Sequence, residues 1–239
     1  MDQAARVWEA IREIAAAEQS PVTLRHMCLA CESTVRAGSV GLYLASEFEL
    51  PDPLFATSPF SEKILELHAT LGEGPSAAAF EQDWPILVSD ISDPAYERRW
   101  PAFCTEAAGL GLVSIFTFPL ALGAITVGAL EIHSDRRQSL HGAQLAEART
   151  FAEAALVLVC DYLAGISSVA GDDFSSRLVE IRWAEVHQAT GMIAAQLDIA
   201  LDEAFLRLRA HSYATGRSLI DVSGDIINDR LRLTLDGGS

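Results

Sequence analysis

Apolar residues recur along this chain with a helical period near both ends and in shorter continuous runs in the middle. Residues 3–18 place Val7, Ile11 and Ile14 three or four positions apart, which predicts one buried helix face. The same spacing predicts further helices over 22–36, 96–109 and 141–164. Apolar, partly β-branched runs bounded by Gly, Pro or acidic residues predict strands over 39–45, 84–89, 113–120 and 124–133.

The order of these elements predicts an α+β domain with an antiparallel sheet and helices on one face. The last two strands are separated by Ala121–Gly123 only, a connection short enough for a hairpin. Residues 165–176 are rich in Gly, Ser and Asp and lack periodicity, so we interpret them as a linker. The predicted organisation is an N-terminal helix over 1–19, a larger domain over 20–164, a linker over 165–176 and a small domain over 177–235.

The sequence pattern of the small domain predicts three short amphipathic helices. The first is expected from about Phe174 or Ser176 to Leu197, the second ends at Gly216, and Ser218 with Asp221 forms a capping box for the third. The residues expected to be buried are Val186, Ala189, Ile193, Leu197, Ala204, Phe205, Leu208, Leu219, Val222 and Ile226. His187, Gln188 and Thr190 are expected off the buried stripe of the first helix.

The charge is unevenly distributed. The chain has 239 residues and a net charge of −16, half of its residues are hydrophobic, and it has four cysteines. Residues 1–176 carry 24 acidic and 10 basic side chains, whereas residues 177–232 carry eight acidic side chains and seven arginines. The tail can therefore approach a polyanion more readily than the body. No apolar run is long enough to span a membrane, and the N-terminus lacks signal-peptide character, so a cytoplasmic location is expected.

The tail segments VHQATGMIAAQL (186–197), DEAFLRLRAHSYATGR (202–217) and SLIDVSGDII (218–227) together resemble the ANTAR domain, a three-helix RNA-binding module of bacterial transcription antiterminators. The resemblance implies binding of hairpin RNA in nascent transcripts. The side chains that it suggests for RNA contact are His187, Gln188, Thr190, Arg207, Arg209 and Arg217. Many members carry a lysine where this chain has Thr190, which removes one phosphate contact here. An alternative is that Arg209 only pairs with Asp221 or Asp225.

Four segments of the larger domain, LGEGP (71–75), WPILVSD (84–90), RWPAF (99–103) and FTFPL (116–120), resemble the GAF half of actinobacterial-type GAF–ANTAR regulators. The implied fold is therefore an α+β GAF-like sensor domain, with an antiparallel sheet flanked by helices, followed by a small all-α three-helix ANTAR-like domain. The resemblance implies a small-molecule pocket lined by Gly74, Asp90, Trp100, Phe103, Phe116 and Phe118. The aromatic side chains among them could equally be plain core. No sequence signature specifies a cofactor.

Cys28 and Cys31 form a CxxC motif inside an apolar helix. Buried core cysteines are the favoured interpretation, with a redox or metal sensor using Cys104, Cys160 or His26 as the alternative. The sequence contains no nucleophile elbow, P-loop, zinc-protease motif or dinucleotide fingerprint, so a catalytic function is not expected.

The sequence thus predicts a signal-responsive, RNA-binding transcription antiterminator, with the helices over 3–18 and 141–164 as surfaces for a homodimer. Two alternatives stay open. The chain could be a ligand-binding or protein-interaction regulator whose tail does not bind RNA, or a cysteine-based redox or metal sensor.

Overall fold

The computed structural model describes residues 2–36, 38–45, 51–166 and 174–234, with the backbone alone at 51 and 174–182. The helices are α1 Gln3–Ala17, α2 Leu24–Val35, α3 Pro59–Leu71, α4 Pro75–Gln82, α5 Pro94–Arg99, α6 Pro101–Gly109, α7 Gly142–Leu163, α8 Phe174–Leu197, α9 Leu201–Thr215 and α10 Leu219–Ile227. The strands are β1 Ser39–Ala45, β2 Pro51–Ala56, β3 Ile86–Val88, β4 Ser114–Leu122 and β5 Ile125–Ser134.

The strands form one antiparallel sheet in the order β2-β1-β5-β4-β3, and the predicted hairpin is β4–β5. Side chains from alternate positions of β5 enter different cores. Leu130 and Ile132 pack with α1, α2 and α7, whereas Glu131 and His133 face α3 and α4. The expectation of helices on one face was therefore wrong. Because the strands carry buried side chains on both faces, both faces need a helical cover.

The helix predicted over 96–109 is two helices. Trp100 interrupts them, and Pro101 occupies the first turn of α6. Proline lacks an amide hydrogen and disfavours a helical conformation at the preceding residue, so α5 ends there. The strand β2 and the helix α3 were not predicted, although Gly72 ends α3 in the left-handed conformation with φ of 65°.

The C-terminal helices α8, α9 and α10 form a separate small core around Val186, Ala189, Leu208, Leu219 and Val222. Their ends are the predicted ones. Gly216 ends α9 with φ of 62°, and the Ser218 hydroxyl accepts the Asp221 amide across 3.0 Å. Residues 167–173, within the predicted linker, lie outside the described residues, and α8 begins at Phe174, inside the interval assigned to the linker.

Candidate functional site: the C-terminal helices and their contact with the sheet domain

Thr190 lies inside the C-terminal domain. Its side chain is completely buried, and its hydroxyl donates to the carbonyl oxygen of Val186 across 2.8 Å. The expectation that Thr190 lies off the buried stripe was therefore wrong. A threonine hydroxyl can donate a hydrogen bond to a carbonyl oxygen of the preceding helical turn. Threonine can therefore be buried at a position where a lysine could not.

Gln188 and Arg217 are exposed, whereas Arg207 is half-buried. Gln188 is exposed on α8. The guanidinium of Arg207 pairs with Glu203 one helical turn away, at 3.0 Å. Arg217 pairs with Asp225 at 2.6 Å, the acid that the sequence analysis assigned to Arg209 as an alternative partner. An exposed pair such as Arg217–Asp225 contributes about 0–1 kcal/mol, so Arg217 is able to exchange an internal carboxylate for a phosphate.

Arg209 binds the sheet domain. Its Nε donates to the carbonyl oxygen of Thr70 in the last turn of α3, across 3.0 Å. A cation at the C-terminal end of a helix satisfies a free carbonyl and meets the negative end of the helix dipole, an interaction worth about 0.3–2 kcal/mol. Arg209 thus caps α3 from the other domain, and we call the two residues that receive it, Thr70 and Gly72, the Arg209 seat.

Gly72 makes room for that guanidinium. A Cβ atom at this position would lie 2.0 Å from Nη2 of Arg209, closer than any real contact. Glycine also suits the left-handed backbone that ends α3. Two separate requirements, backbone conformation and space for the arginine, therefore favour glycine at residue 72.

A second polar contact joins the domains. Nε2 of His187 on α8 lies 3.0 Å from Oδ2 of Asp52 on β2. Around the Arg209 seat, Ala69 of α3 packs into the core of the C-terminal domain. An open cavity of about 310 Å³ lies between α3, α6 and the C-terminal helices, and Arg217 lines it. Three of the six residues assigned to RNA contact, His187, Arg209 and Arg217, therefore lie at the boundary between the domains.

Arg207 and Arg209 point away from each other. Residues two positions apart on a helix are separated by about 200° around its axis. Arg209 faces the sheet domain, and Arg207 pairs with Glu203 on its own helix. In this arrangement the two arginines cannot contact one ligand together without a change in how the domains meet.

The residues expected to line a small-molecule pocket are divided between the two faces of the sheet. Phe116 and Phe118 belong to the core beneath α2 and α7, whereas Trp100 and Phe103 pack near α3 and α6. Gly74 lies against the His68 and Phe103 rings, with φ of 118°. Asp90 lies apart from both cores. Its carboxylate accepts the Ser92 amide and hydroxyl and pairs with Arg137.

A buried polar cluster that the sequence analysis did not identify lies between the sheet and α3 and α4. Its centre is Glu131, whose carboxylate accepts from the Ser76 hydroxyl at 2.6 Å and from the Thr117 hydroxyl at 2.7 Å. Nε2 of His133 lies 2.9 Å from the same carboxylate, and Nε2 of His68 lies 3.4 Å from it. The available signal was Glu131 and His133 two positions apart in a largely apolar strand.

The neighbours of Glu131 stabilise its charged form. Burial by itself raises the pKa of Glu131, but the two histidines and the hydrogen bonds from His133 and Ser76 outweigh burial and lower it to about 2. Burial lowers the pKa of His68 more than the neighbouring Glu131 raises it. At neutral pH the cluster therefore holds a buried carboxylate. Beside it, His68 stacks on Phe103 with 4.3 Å between ring centres.

Cys28 and Cys31 are completely buried in α2, as the favoured interpretation expected. Burial raises the pKa of both thiols, which keeps them protonated. Among the described residues, no group of three or more His, Cys, Asp or Glu side chains is arranged to hold a metal ion. Within the same part of the chain, no helix combines the length and apolar character needed to cross a membrane.

Comparison with solved structures finds similarity in the sheet domain. The GAF domain of a phosphoenolpyruvate-protein phosphotransferase from Coxiella burnetii is 14% identical, covering 69% of this chain and 98% of its own, with a TM-score of 0.47. A domain of a putative two-component sensor histidine kinase from Sinorhizobium meliloti is 18% identical, covering 58% and 90%, with a TM-score of 0.48. Because these identities and TM-scores are low, the description of the fold rests on the observed strand order. No curated protein matches the sequence.

The family comparison concerns the C-terminal helices. The model of the ANTAR domain matches residues 183–227, which run from within α8 to the end of α10. The match covers the buried stripes, the Gly216 turn and the Ser218 cap described above. The C-terminal helices therefore match the ANTAR domain over residues 183–227, and they follow a sheet domain whose architecture resembles that of a GAF domain.

Proposed function

We propose that this protein is an RNA-binding regulator of transcription, in which the ANTAR domain binds hairpin RNA in a nascent transcript and favours antitermination. The observation that carries the proposal is the ANTAR match over 183–227, on three helices in which Gln188 and Arg217 are exposed and Arg207 is half-buried beside Glu203. Planar guanidinium groups suit phosphate oxygens, and an exposed amide suits a base edge in an RNA loop. The GAF-like domain receives the signal, and a small molecule is its proposed ligand.

The antitermination step follows from competition between RNA structures. A protein that binds a paired-hairpin element stabilises that element against an overlapping terminator hairpin, so that polymerase continues. Two ANTAR domains in a homodimer would suit two hairpins. The signal acts only if its ligand has different affinities for the RNA-competent and RNA-incompetent states of the protein.

The test is binding of the full chain to a labelled RNA with two short hairpins, at about 50 and 200 mM salt. We expect binding that weakens steeply with salt. An Arg207→Ala/Arg217→Ala variant should bind roughly tenfold or more weakly and with a shallower salt dependence, because two phosphate contacts are lost.

The matched control is an Arg230→Ala/Arg232→Ala variant, which removes the same charge from exposed positions of the same tail. It should retain most of the affinity if contacts at Arg207 and Arg217 matter. Equal losses in both double variants would mean that only overall charge matters. Absence of binding at low salt in every form would favour the alternative in which the ANTAR domain contacts a protein.

A further inference from the structure

The helix α3 connects the interior of the GAF-like domain to the ANTAR domain. Along its buried side, the Ser61 hydroxyl lies 2.9 Å from Nδ1 of His133, and His68 lies against Glu131. At its C-terminal end, Thr70 and Gly72 receive Arg209. One rigid helix of 13 residues therefore touches both the buried polar cluster and the ANTAR domain.

The bond at the Arg209 seat is a modest one for a guanidinium. Its acceptor is a carbonyl oxygen, and among the described residues no carboxylate lies within ion-pairing distance of Arg209. Burial lowers the pKa of Arg209, which reflects a charge partly removed from water without a counter-ion. A phosphate would offer the same side chain a charged acceptor with two oxygens, and charge-assisted bonds of that type are stronger.

We propose that the Arg209 seat is a latch, which holds the ANTAR domain against the GAF-like domain and withholds Arg209 and His187 from RNA. The RNA-competent form of the chain is the one in which this seat is empty. The latch rests on the proposed function, because it concerns which form of the chain binds RNA.

The latch makes the domain contact and RNA binding compete for the same side chains. While Arg209 caps α3, its Nε is bonded to Thr70 and its guanidinium lies over Gly72, so the face that would receive a phosphate is partly covered. His187 is held beside Asp52 at the same time. By linkage, whatever favours domain contact weakens RNA binding, and RNA binding favours release by the same factor. Movement of α3 that withdraws the Thr70 carbonyl would therefore favour release of the ANTAR domain.

The test uses Gly72→Ala in the full chain. The added methyl group occupies the position of the Arg209 guanidinium and expels it, while Arg209 itself remains available for RNA. The matched control is Gly123→Ala. Gly123 has φ of 66°, against 65° for Gly72, and a Cβ there would meet nothing within 4 Å, so the control carries the same backbone strain without the steric effect.

Two quantities are measured. Hydrogen–deuterium exchange in peptides of α9 and β2, without RNA, reports whether the domains separate. The dissociation constant for the two-hairpin RNA reports the consequence. We expect Gly72→Ala to exchange faster in both elements and to bind RNA about fivefold or more tightly than Gly123→Ala, the lower range for coupling between two sites. Gly123→Ala should match the wild type in both.

The outcomes separate the latch from the proposed function. Unchanged exchange in a folded Gly72→Ala chain, or faster exchange with unchanged RNA affinity, overturns the latch and leaves RNA binding standing. Faster exchange in Gly72→Ala without RNA binding in any form overturns the proposed function and the RNA role of the latch with it. If Gly72→Ala does not fold, Gly72→Asn replaces it, because asparagine tolerates the left-handed conformation and still places a side chain at the seat.

Discussion

Nε of Arg209 donates a hydrogen bond to the carbonyl oxygen of Thr70 across 3.0 Å, so a side chain of the ANTAR domain caps a helix of the GAF-like domain. The end of α3 and the middle of α9 are thereby held together. Changes at either residue should be detected in both domains, and this relationship leads to the first prediction.

Removing the Arg209 side chain by substitution should have a different effect from displacing it with Gly72→Ala. In Arg209→Ala the domains lose their cap, and amide exchange in α9 should rise as in Gly72→Ala. RNA affinity should nevertheless be weaker than in Gly72→Ala, because the guanidinium that would bind phosphate is absent. The measurement is the dissociation constant of both variants, with Arg230→Ala as a control of equal charge. Equal affinity of Arg209→Ala and Gly72→Ala would show that Arg209 makes no RNA contact.

Thr190→Val should leave RNA binding unchanged. Valine has the size of threonine, and the lost bond to the Val186 carbonyl is internal to α8, so the free energy of unfolding should fall by no more than about 1 kcal/mol. Gln188→Ala, at the exposed neighbouring side chain, should weaken RNA binding instead. Urea unfolding and RNA titration of both variants check this. If folded Thr190→Val binds RNA more weakly and Gln188→Ala does not, the assignment of Thr190 to the core and of Gln188 to the RNA-binding surface is contradicted.

His68 should make the protein less stable as pH falls below about 6.5, the ordinary histidine value. Burial keeps its pKa below that value in the folded chain, so unfolding takes up a proton and becomes more favourable in mild acid. The titratable groups facing it are Glu131, His133 and Tyr43. His68→Gln should lower stability at pH 7 but lose less of it between pH 7 and 5. Identical losses in the variant and wild type, by urea unfolding, would contradict this.

Glu131 should contribute stability that is lost in stronger acid. Its pKa of about 2 in the folded chain lies below the ordinary 4.5, so the contribution is present above pH 4.5 and disappears as pH falls toward 2. The shift corresponds to about 3 kcal/mol. Glu131→Gln should unfold more easily at pH 7 and lose less stability between pH 5 and 3. Thermal midpoints across this range test it, and parallel curves for the two chains would show that Glu131 is not the group responsible.

Local signals made the ANTAR helices predictable. Gly216 and Ser218 act within one or two turns of their own positions, so the helix ends follow from adjacent residues. In contrast, β2 was not recognised because Pro51 and Pro53 disfavour a central strand. At the edge of the sheet, where β2 lies, prolines are tolerated because one side of the strand needs no partner.

The contact between the domains could not be predicted in the same way. Arg209 and Thr70 are 139 positions apart, and neither residue has a local pattern that specifies the other. Likewise Ser76 and Glu131 are brought together only by the packing of α4 on the sheet. Periodicity shows that a residue is buried but does not show its distant neighbour, so the latch and the polar cluster required the three-dimensional arrangement.

The most direct test of the whole account is RNA binding by the Gly72→Ala chain at low and moderate salt, because in this form Arg209 is released and still present. We predict binding to the two-hairpin RNA that is tighter than that of the Gly123→Ala control and weakens steeply with salt. Absence of binding at low salt by a folded, opened Gly72→Ala chain would contradict the account, since occlusion by the GAF-like domain could no longer explain it.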